Sequence, residues 1–238
     1  MKKILITNDD GIEADGIIRL AEAAKRFGEV WVVAPDGQRS AMSHKITLRE
    51  HIDVYEDRTF PVPGVHAYRS TGTPADCVRF GRLNIVGTNP DLVLSGINYG
   101  FNAGTDTQYS ATVGAALEAA CEGIHAIALS EGACDCHEVT DAFLEQIIEE
   151  YMERPLEFNQ IWNVNFPQCP MSSYRGILTE RIVAPNGFYK DHYDEVPLPD
   201  GGRRLTVNGI YHEEAAEGTD FKALVEGYIS ISKIHNIH

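Results

Sequence analysis

Ile4-Leu5-Ile6-Thr7-Asn8-Asp9-Asp10-Gly11 opens the chain with a short apolar run that leads straight into two adjacent aspartates and a glycine. An apolar run without polar alternation is the pattern of a strand covered on both faces, as in a parallel sheet. Val30-Trp31-Val32-Val33-Ala34, Leu92-Val93-Leu94 and Ala126-Ile127-Ala128-Leu129 have the same texture. Between the first two runs, Ile17, Leu20, Ala21, Ala24 and Phe27 recur at helical spacing, and Gly28 stands where a left-handed residue closes a helix. This is a βαβ unit. Further helices are expected near Pro74, from Ser110 to Gly123, and with Val139, Phe143, Ile147 and Tyr151 on one face before Pro155. The alternation runs to about residue 167, which predicts a Rossmann-like, doubly wound α/β core over 1–167 with a mostly parallel sheet and right-handed crossovers.

The texture changes after Phe166-Pro167. Pro170, Pro185, Pro197, Pro199 and Gly201-Gly202 punctuate short mixed segments, so 168–238 reads as a β-hairpin excursion from one structural domain. Gly227-Tyr228-Ile229-Ser230-Ile231-Ser232 alternates and predicts a late strand, on this sheet or on a neighbouring subunit.

With 238 residues, 43% hydrophobic and 23% charged, the chain has an ordinary globular composition and enough length to bury a sizeable core. Disordered, collagen-like and disulfide-dependent classes are excluded. The 20 Lys and Arg against 35 Asp and Glu give a net charge of −15, which argues against general nucleic-acid binding. An anionic ligand would then need a local counter-charge, and a metal ion is the compact way to provide one. The N-terminus has neither a signal-peptide core nor a spanning helix, so a cytoplasmic protein without membrane contact is expected. Five cysteines at irregular spacing fit reduced thiols. Cys134-Asp135-Cys136-His137 lacks the two-residue gap and second ligand pair of a soft-metal site and reads as an exposed loop.

In an open α/β sheet, ligands sit beyond the carboxyl ends of the strands, at the switch point. Those ends are Asn8-Asp9-Asp10-Gly11, Pro35-Asp36-Gly37-Gln38-Arg39-Ser40 and Ser95-Gly96-Ile97-Asn98-Tyr99-Gly100. Adjacent carboxylates repel unless a cation, a shared proton or water separates them, so Asp9 and Asp10 point to a metal. The plainer alternative is a turn that caps the next helix. Ser40 and Asn98, brought to the same edge, would complete an all-oxygen set suited to one Mg²⁺ or Mn²⁺ per subunit. The stretch from Asn102 to Gly114 opens a small-residue helix with hydroxyls, amides and the positive end of the macrodipole, as a phosphate receptor does, or else it simply caps itself through Thr107 or Ser110. The candidate substrate contacts are Asn8, Asn102, Ser110 and Thr112. Metal beside anion cradle is the layout for hydrolysing a phosphate monoester with activated water, Asp9 and Asp10 being the catalytic pair. Because the aspartates are adjacent, and not spaced by one residue, no covalent phospho-aspartate is expected. The rival is a non-enzymatic nucleotide-binding module.

Ile6-Thr7-Asn8-Asp9-Asp10-Gly11, Val33-Ala34-Pro35-Asp36 with Arg39-Ser40, Gly72-Thr73-Pro74-Ala75-Asp76-Cys77-Val78, Ser95-Gly96-Ile97-Asn98 and Tyr109-Ser110-Ala111-Thr112-Val113-Gly114-Ala115-Ala116 together resemble, in order, the signature blocks of the SurE-type survival-protein nucleotidases. The likeness is strong over residues 1–130, weaker at Asn163-Val164-Asn165-Phe166-Pro167 and Glu226-Gly227-Tyr228-Ile229-Ser230, and weakest over 170–220. It implies a metal-dependent 5′/3′-nucleotidase acting on nucleoside monophosphates, with Asp9, Asp10, Ser40 and Asn98 at the metal-binding positions. It also implies a homodimer or tetramer with an exchanged C-terminal element.

Overall fold

Ile4 to Thr7 are buried on both faces because β1 (Lys2–Thr7) lies in the middle of a nine-stranded sheet. The computed structural model describes residues 1–236. Along the chain follow α1 (Asp15–Ala24), β2 (Gly28–Pro35), β3 (Val54–Glu56), β4 (His66–Ser70), α2 (Pro74–Phe80), β5 (Leu92–Tyr99), α3 (Ala111–Cys121), β6 (Ala126–Glu131), α4 (Glu138–Tyr151) and β7 (Gln160–Phe166). Then come β8 (Gly176–Leu178), β9 (Tyr189–Lys190), β10 (Tyr193–Pro197), β11 (Arg203–Val207), β12 (Ile210–Tyr211), α5 (Asp220–Val225) and β13 (Tyr228–His235). The main sheet has the order β3-β4-β2-β1-β5-β6-β7-β13-β8. From β4 through β7 every pairing is parallel, whereas β3 and β13 run antiparallel to β4 and β7.

Alternation along the strands divides the core into two layers. Ile4 and Ile6 pack with Ile17 and Leu20 of α1 and with Leu144 and Ile147 of α4. Leu5 and Val93 face the other way, onto Val78 of α2 and the small residues Val113, Ala115 and Ala116 of α3. The chain leaves β1 for β2 on one side and returns to β5 on the other, so the topological switch point lies between β1 and β5.

One expectation needs correction, two strands were not expected, and one alternative is decided. Gly28 does not close the first helix: α1 ends at Ala24, and Gly28 pairs with Lys2 as the first residue of β2. Strand pairing claims the residue that periodicity assigned to the helix end. The edge strand β3 and its neighbour β4 escaped the sequence reading because both are short and His66-Ala67-Tyr68-Arg69-Ser70 has polar residues at exposed positions and no apolar run. The late strand β13 is on the sheet of its own chain, Ser230 opposite Asn165 of β7. The segment after residue 167 therefore returns to the core through β8, α5 and β13. What projects is β9 to β12, and β10 and β11 are exposed at every position.

Candidate active site

The carboxyl end of β1 turns sharply because Asn8, itself fully buried, folds its amide onto Gly11: Oδ1 accepts the Gly11 N–H at 3.2 Å and Nδ2 donates to the Gly11 carbonyl at 2.8 Å. Asn8 thus shapes the loop from beneath. The turn leaves Asp9 3% exposed, with Oδ1 accepting from the Thr112 hydroxyl at 2.6 Å. Burial pushes the Asp9 carboxyl up to about 6, the charge of Asp10 adds to this, and the Thr112 hydroxyl and backbone oppose it. Asp10 is half-buried, accepts the Tyr99 N–H on Oδ2 at 3.0 Å, and is also raised by burial.

Hydrogen bonds stitch the other two loops to these aspartates. The Arg39 N–H donates to the Asp9 carbonyl at 2.6 Å, which brings the loop carrying Ser40 to the end of β1. Ser40 itself is exposed. That loop is also pinned to the approach to α3: the Ser43 N–H donates to the Tyr109 carbonyl at 2.9 Å and the Ser43 hydroxyl to the Gln108 carbonyl at 2.8 Å. Gly114 permits this contact, since a Cβ there would lie 2.4 Å from the Ser43 carbonyl oxygen. In β5 the pairing with β6 slips between Ser95 and Asn98. Gly96 lies in the slip, with φ +144° and no room for a side chain against the Leu129 carbonyl. Such a bulge re-aims the residues that follow. Asn98 then donates Nδ2 to the Gly100 carbonyl at 2.7 Å, and its amide oxygen takes no hydrogen bond among the described residues.

The candidate phosphate contacts divide. Ser110 caps α3, its hydroxyl oxygen accepting the Val113 N–H at 3.1 Å, which leaves the hydroxyl proton available. Thr112 is fully buried and its hydroxyl is committed to Asp9. Asn102 is held inside the protein: its N–H donates to Asn165 Oδ1 at 2.8 Å, its Nδ2 to Ser130 Oγ at 2.8 Å, and its carbonyl accepts from Asn163 and Asn165. Asn163 and Asn165 were not singled out as functional, although two amides on one face of an apolar strand were legible as a buried polar contact. Asp220 was missed as well. Fully buried, it accepts the N–H groups of Gly104 and Ala184 and ties the loop after Asn98 to the C-terminal segment.

The donors suit a hard divalent cation. Asp9 and Asp10 form no ion pair among the described residues, and a buried carboxylate without a counter-charge is costly. Two carboxylates, one hydroxyl and one amide oxygen make an all-oxygen set of the kind Mg²⁺ and Mn²⁺ take. No group of three or more His, Cys, Asp or Glu is arranged for a metal among the described residues. Cys134 and Cys136 are free thiols, and His137 pairs with Glu131 at 3.0 Å.

The family model for the survival protein SurE matches residues 4–186. The chain belongs to the SurE family. A SurE relative from Geobacter metallireducens named 5′-nucleotidase SurE is 39% identical over 98% of this chain and 91% of its own length. A Thermosipho africanus SurE of the same name is 36% identical over 97% of this chain and 90% of its own. The crystal structure of the SurE protein from Aquifex aeolicus superposes with a TM-score of 0.83 at 33% identity, covering 98% of this chain and 93% of that one.

Proposed function

We propose that this chain is a 5′/3′-nucleotidase that hydrolyses nucleoside monophosphates to nucleoside and inorganic phosphate with the help of one divalent ion. The observation that carries the reading is the buried Asp9, without an ion pair among the described residues, beside Asp10 at the switch point, in a chain of the SurE family whose relatives bear the name 5′-nucleotidase. Asp9, Asp10, Ser40 and the free amide oxygen of Asn98 would hold Mg²⁺ or Mn²⁺. Such an ion supplies Lewis acidity toward a phosphoryl oxygen and makes a water molecule more acidic. The protein does the rest. Thr112 keeps Asp9 in its charged form, and the Tyr99 N–H orients Asp10. The Ser110 hydroxyl and the α3 amide of Ala111 are the donors left for the other phosphoryl oxygens, which gain charge in the transition state.

AMP turnover measured with and without chelator tests this. Loss on chelation and recovery with Mg²⁺ or Mn²⁺ is expected, and Asp10→Asn should fold normally yet lose turnover. Binding of AMP without any hydrolysis would mean a nucleotide-binding module instead.

The exposed arm favours a homodimer or tetramer. Tyr193 and Val207 pair across β10 and β11, and Leu205 shares their face of the ribbon. All three are more than half exposed, and a two-stranded ribbon is marginal by itself, so a second copy is the occupant that suits it. β13 belongs to the core sheet of its own chain, which supports this arm, and not β13, as the exchanged element. Removal of 193–207 should lower the mass found by light scattering, and an unchanged mass would defeat the reading. No described helix is long and apolar enough to cross a membrane.

A further inference from the structure

Just past Asn98 the chain enters a cavity that the phosphate chemistry does not use. Gly100, whose carbonyl holds the Asn98 amide, forms one edge of it. Its volume is about 390 Å³, within the ~300–1,000 Å³ span of small-molecule pockets. Four of its lining residues are aromatic: Phe101, Phe188, Tyr189 and Tyr211. Asp106 and Gln168 add a carboxylate and an amide to the wall.

The aromatic wall is built and then left uncovered. Phe188 is 4% exposed, stacks on Phe101 with centroids 5.1 Å apart, and packs on the fully buried Phe221 at 4.0 Å. Tyr211 lies almost parallel to Phe188, with 9° between the rings. It pairs with Tyr189 across β9 and β12, and its hydroxyl donates to Glu213 at 3.0 Å. Tyr211 nevertheless remains 48% exposed and Tyr189 61% exposed. Rings held by such packing that line a cavity and stay about half exposed are pre-organised for a flat aromatic guest.

We propose that this cavity takes the nucleobase of the substrate, stacked on the Tyr211 side of the aromatic wall, with Gln168 and Asp106, which is tied to the Phe188 N–H, in the lining around it. The assignment rests on the nucleotidase reading of the neighbouring site and says which part of the substrate is read beyond its phosphate. Phe101 lies three residues beyond Asn98, so at most about 11 Å of extended chain separates the two, and Gly100 and Phe101 in the cavity wall place it beside the loop that carries Asn98. Stacking accepts any base because every base has a π face, so the site tells nucleotides from non-aromatic phosphate esters more than it tells one base from another.

The experiment compares kcat/KM for AMP and for ribose 5-phosphate in the wild type, Tyr211→Leu and Tyr211→Phe, with adenosine binding followed by calorimetry. Tyr211→Leu keeps an apolar side chain and removes the π face. The expected result is a fall of roughly 5- to 100-fold in the AMP to ribose 5-phosphate ratio, weaker adenosine binding, and recovery of both in Tyr211→Phe. An unchanged ratio together with unchanged adenosine binding overturns the proposal. If the wild type hydrolyses neither ester, the nucleotidase reading fails, while adenosine binding that needs an aromatic ring at 211 still upholds the cavity. Adenosine that binds equally to all three proteins refutes it whatever the turnover.

Discussion

Replacing Thr112 by Val removes one hydroxyl from beneath the site while keeping a β-branched side chain of similar shape. That hydroxyl donates to Asp9 Oδ1 at 2.6 Å, with Thr112 fully buried and Asp9 3% exposed, so water cannot easily replace it. A hydrogen bond to a charged group contributes about 1.5–3 kcal/mol, or roughly one to two pKa units on the carboxylate. Burial already holds Asp9 at about 6 with the hydroxyl in place, so its loss drives the carboxyl toward protonation at neutral pH. A group that orients a ligating side chain typically affects metal affinity or activity by 10- to 100-fold. Thr112→Val should therefore raise the Mn²⁺ concentration for half-maximal AMP turnover by about 10- to 100-fold, with most of kcat restored at saturating metal. Thr112→Ser should behave like the wild type. The assay is a metal titration of initial rates at saturating AMP. If kcat stays low at saturating Mn²⁺ while the metal requirement is unchanged, Thr112 acts on the phosphate, as its place at the start of a helix suggests, and its positioning role is wrong.

Two further predictions concern the cap and the charged flank of the site. Ser110→Ala should lower stability by about 1 kcal/mol through loss of the α3 cap, and should also lower kcat by ~10- to 1,000-fold through loss of an oxyanion donor. A melting shift with full turnover would make Ser110 a cap only. Glu131 is 4% exposed; burial disfavours its charge, but hydrogen bonds from Arg19 and Thr140 outweigh burial and hold its pKa below the usual 4.5. A carboxylate depressed on folding contributes stability above its unfolded pKa and loses it as pH falls through the folded one. Glu131→Gln should accordingly cost about 3 kcal/mol at pH 7, since Arg19 keeps Asp141 as a partner, and the difference from wild type should shrink below pH 4.5. Urea denaturation at pH 7 and pH 3.5 measures it, and a deficit of equal size at both would show that the ion pair is not its source.

The fold was legible where burial is one-sided or complete, and illegible where a partner decides. Ile4 to Thr7 declared a central strand because both faces needed cover, and the edge rule for parallel sheets then pointed to Asp9, Asp10, Ser40 and Asn98. Gly28 misled because periodicity reports which residues turn inward, while whether a glycine ends a helix or starts a strand depends on Lys2 across the sheet. The aromatic cavity could not be read at all. Tyr189 and Tyr211 stand 22 positions apart by number in a Pro- and Gly-broken stretch, and only the pairing of β9 with β12 brings them to one wall with Phe101.

Thr112 marks the boundary most sharply. A hydroxyl in the first turn of a helix has the same sequence signature whether it meets a bound phosphate or a carboxylate of its own chain. What separates the two is exposure, and exposure here is set by the small residues of α3. Gly114, Ala115 and Ala116 let the helix settle against Leu5 and Val93 and let the Ser43 carbonyl approach its backbone. With bulkier residues the helix would stand off, and Thr112 would face solvent and any anion in it. Close packing brings its hydroxyl under Asp9, 103 residues away in the chain. The first turn of α3 therefore favours the charged form of a buried aspartate through Thr112, and on the reading proposed above that charge would serve a cation while the Ser110 hydroxyl would serve an anion. One helix terminus would thus serve both charges of the proposed site, because its second residue gives its hydroxyl to Asp9 and its cap, which accepts from Val113, keeps a hydroxyl proton to donate.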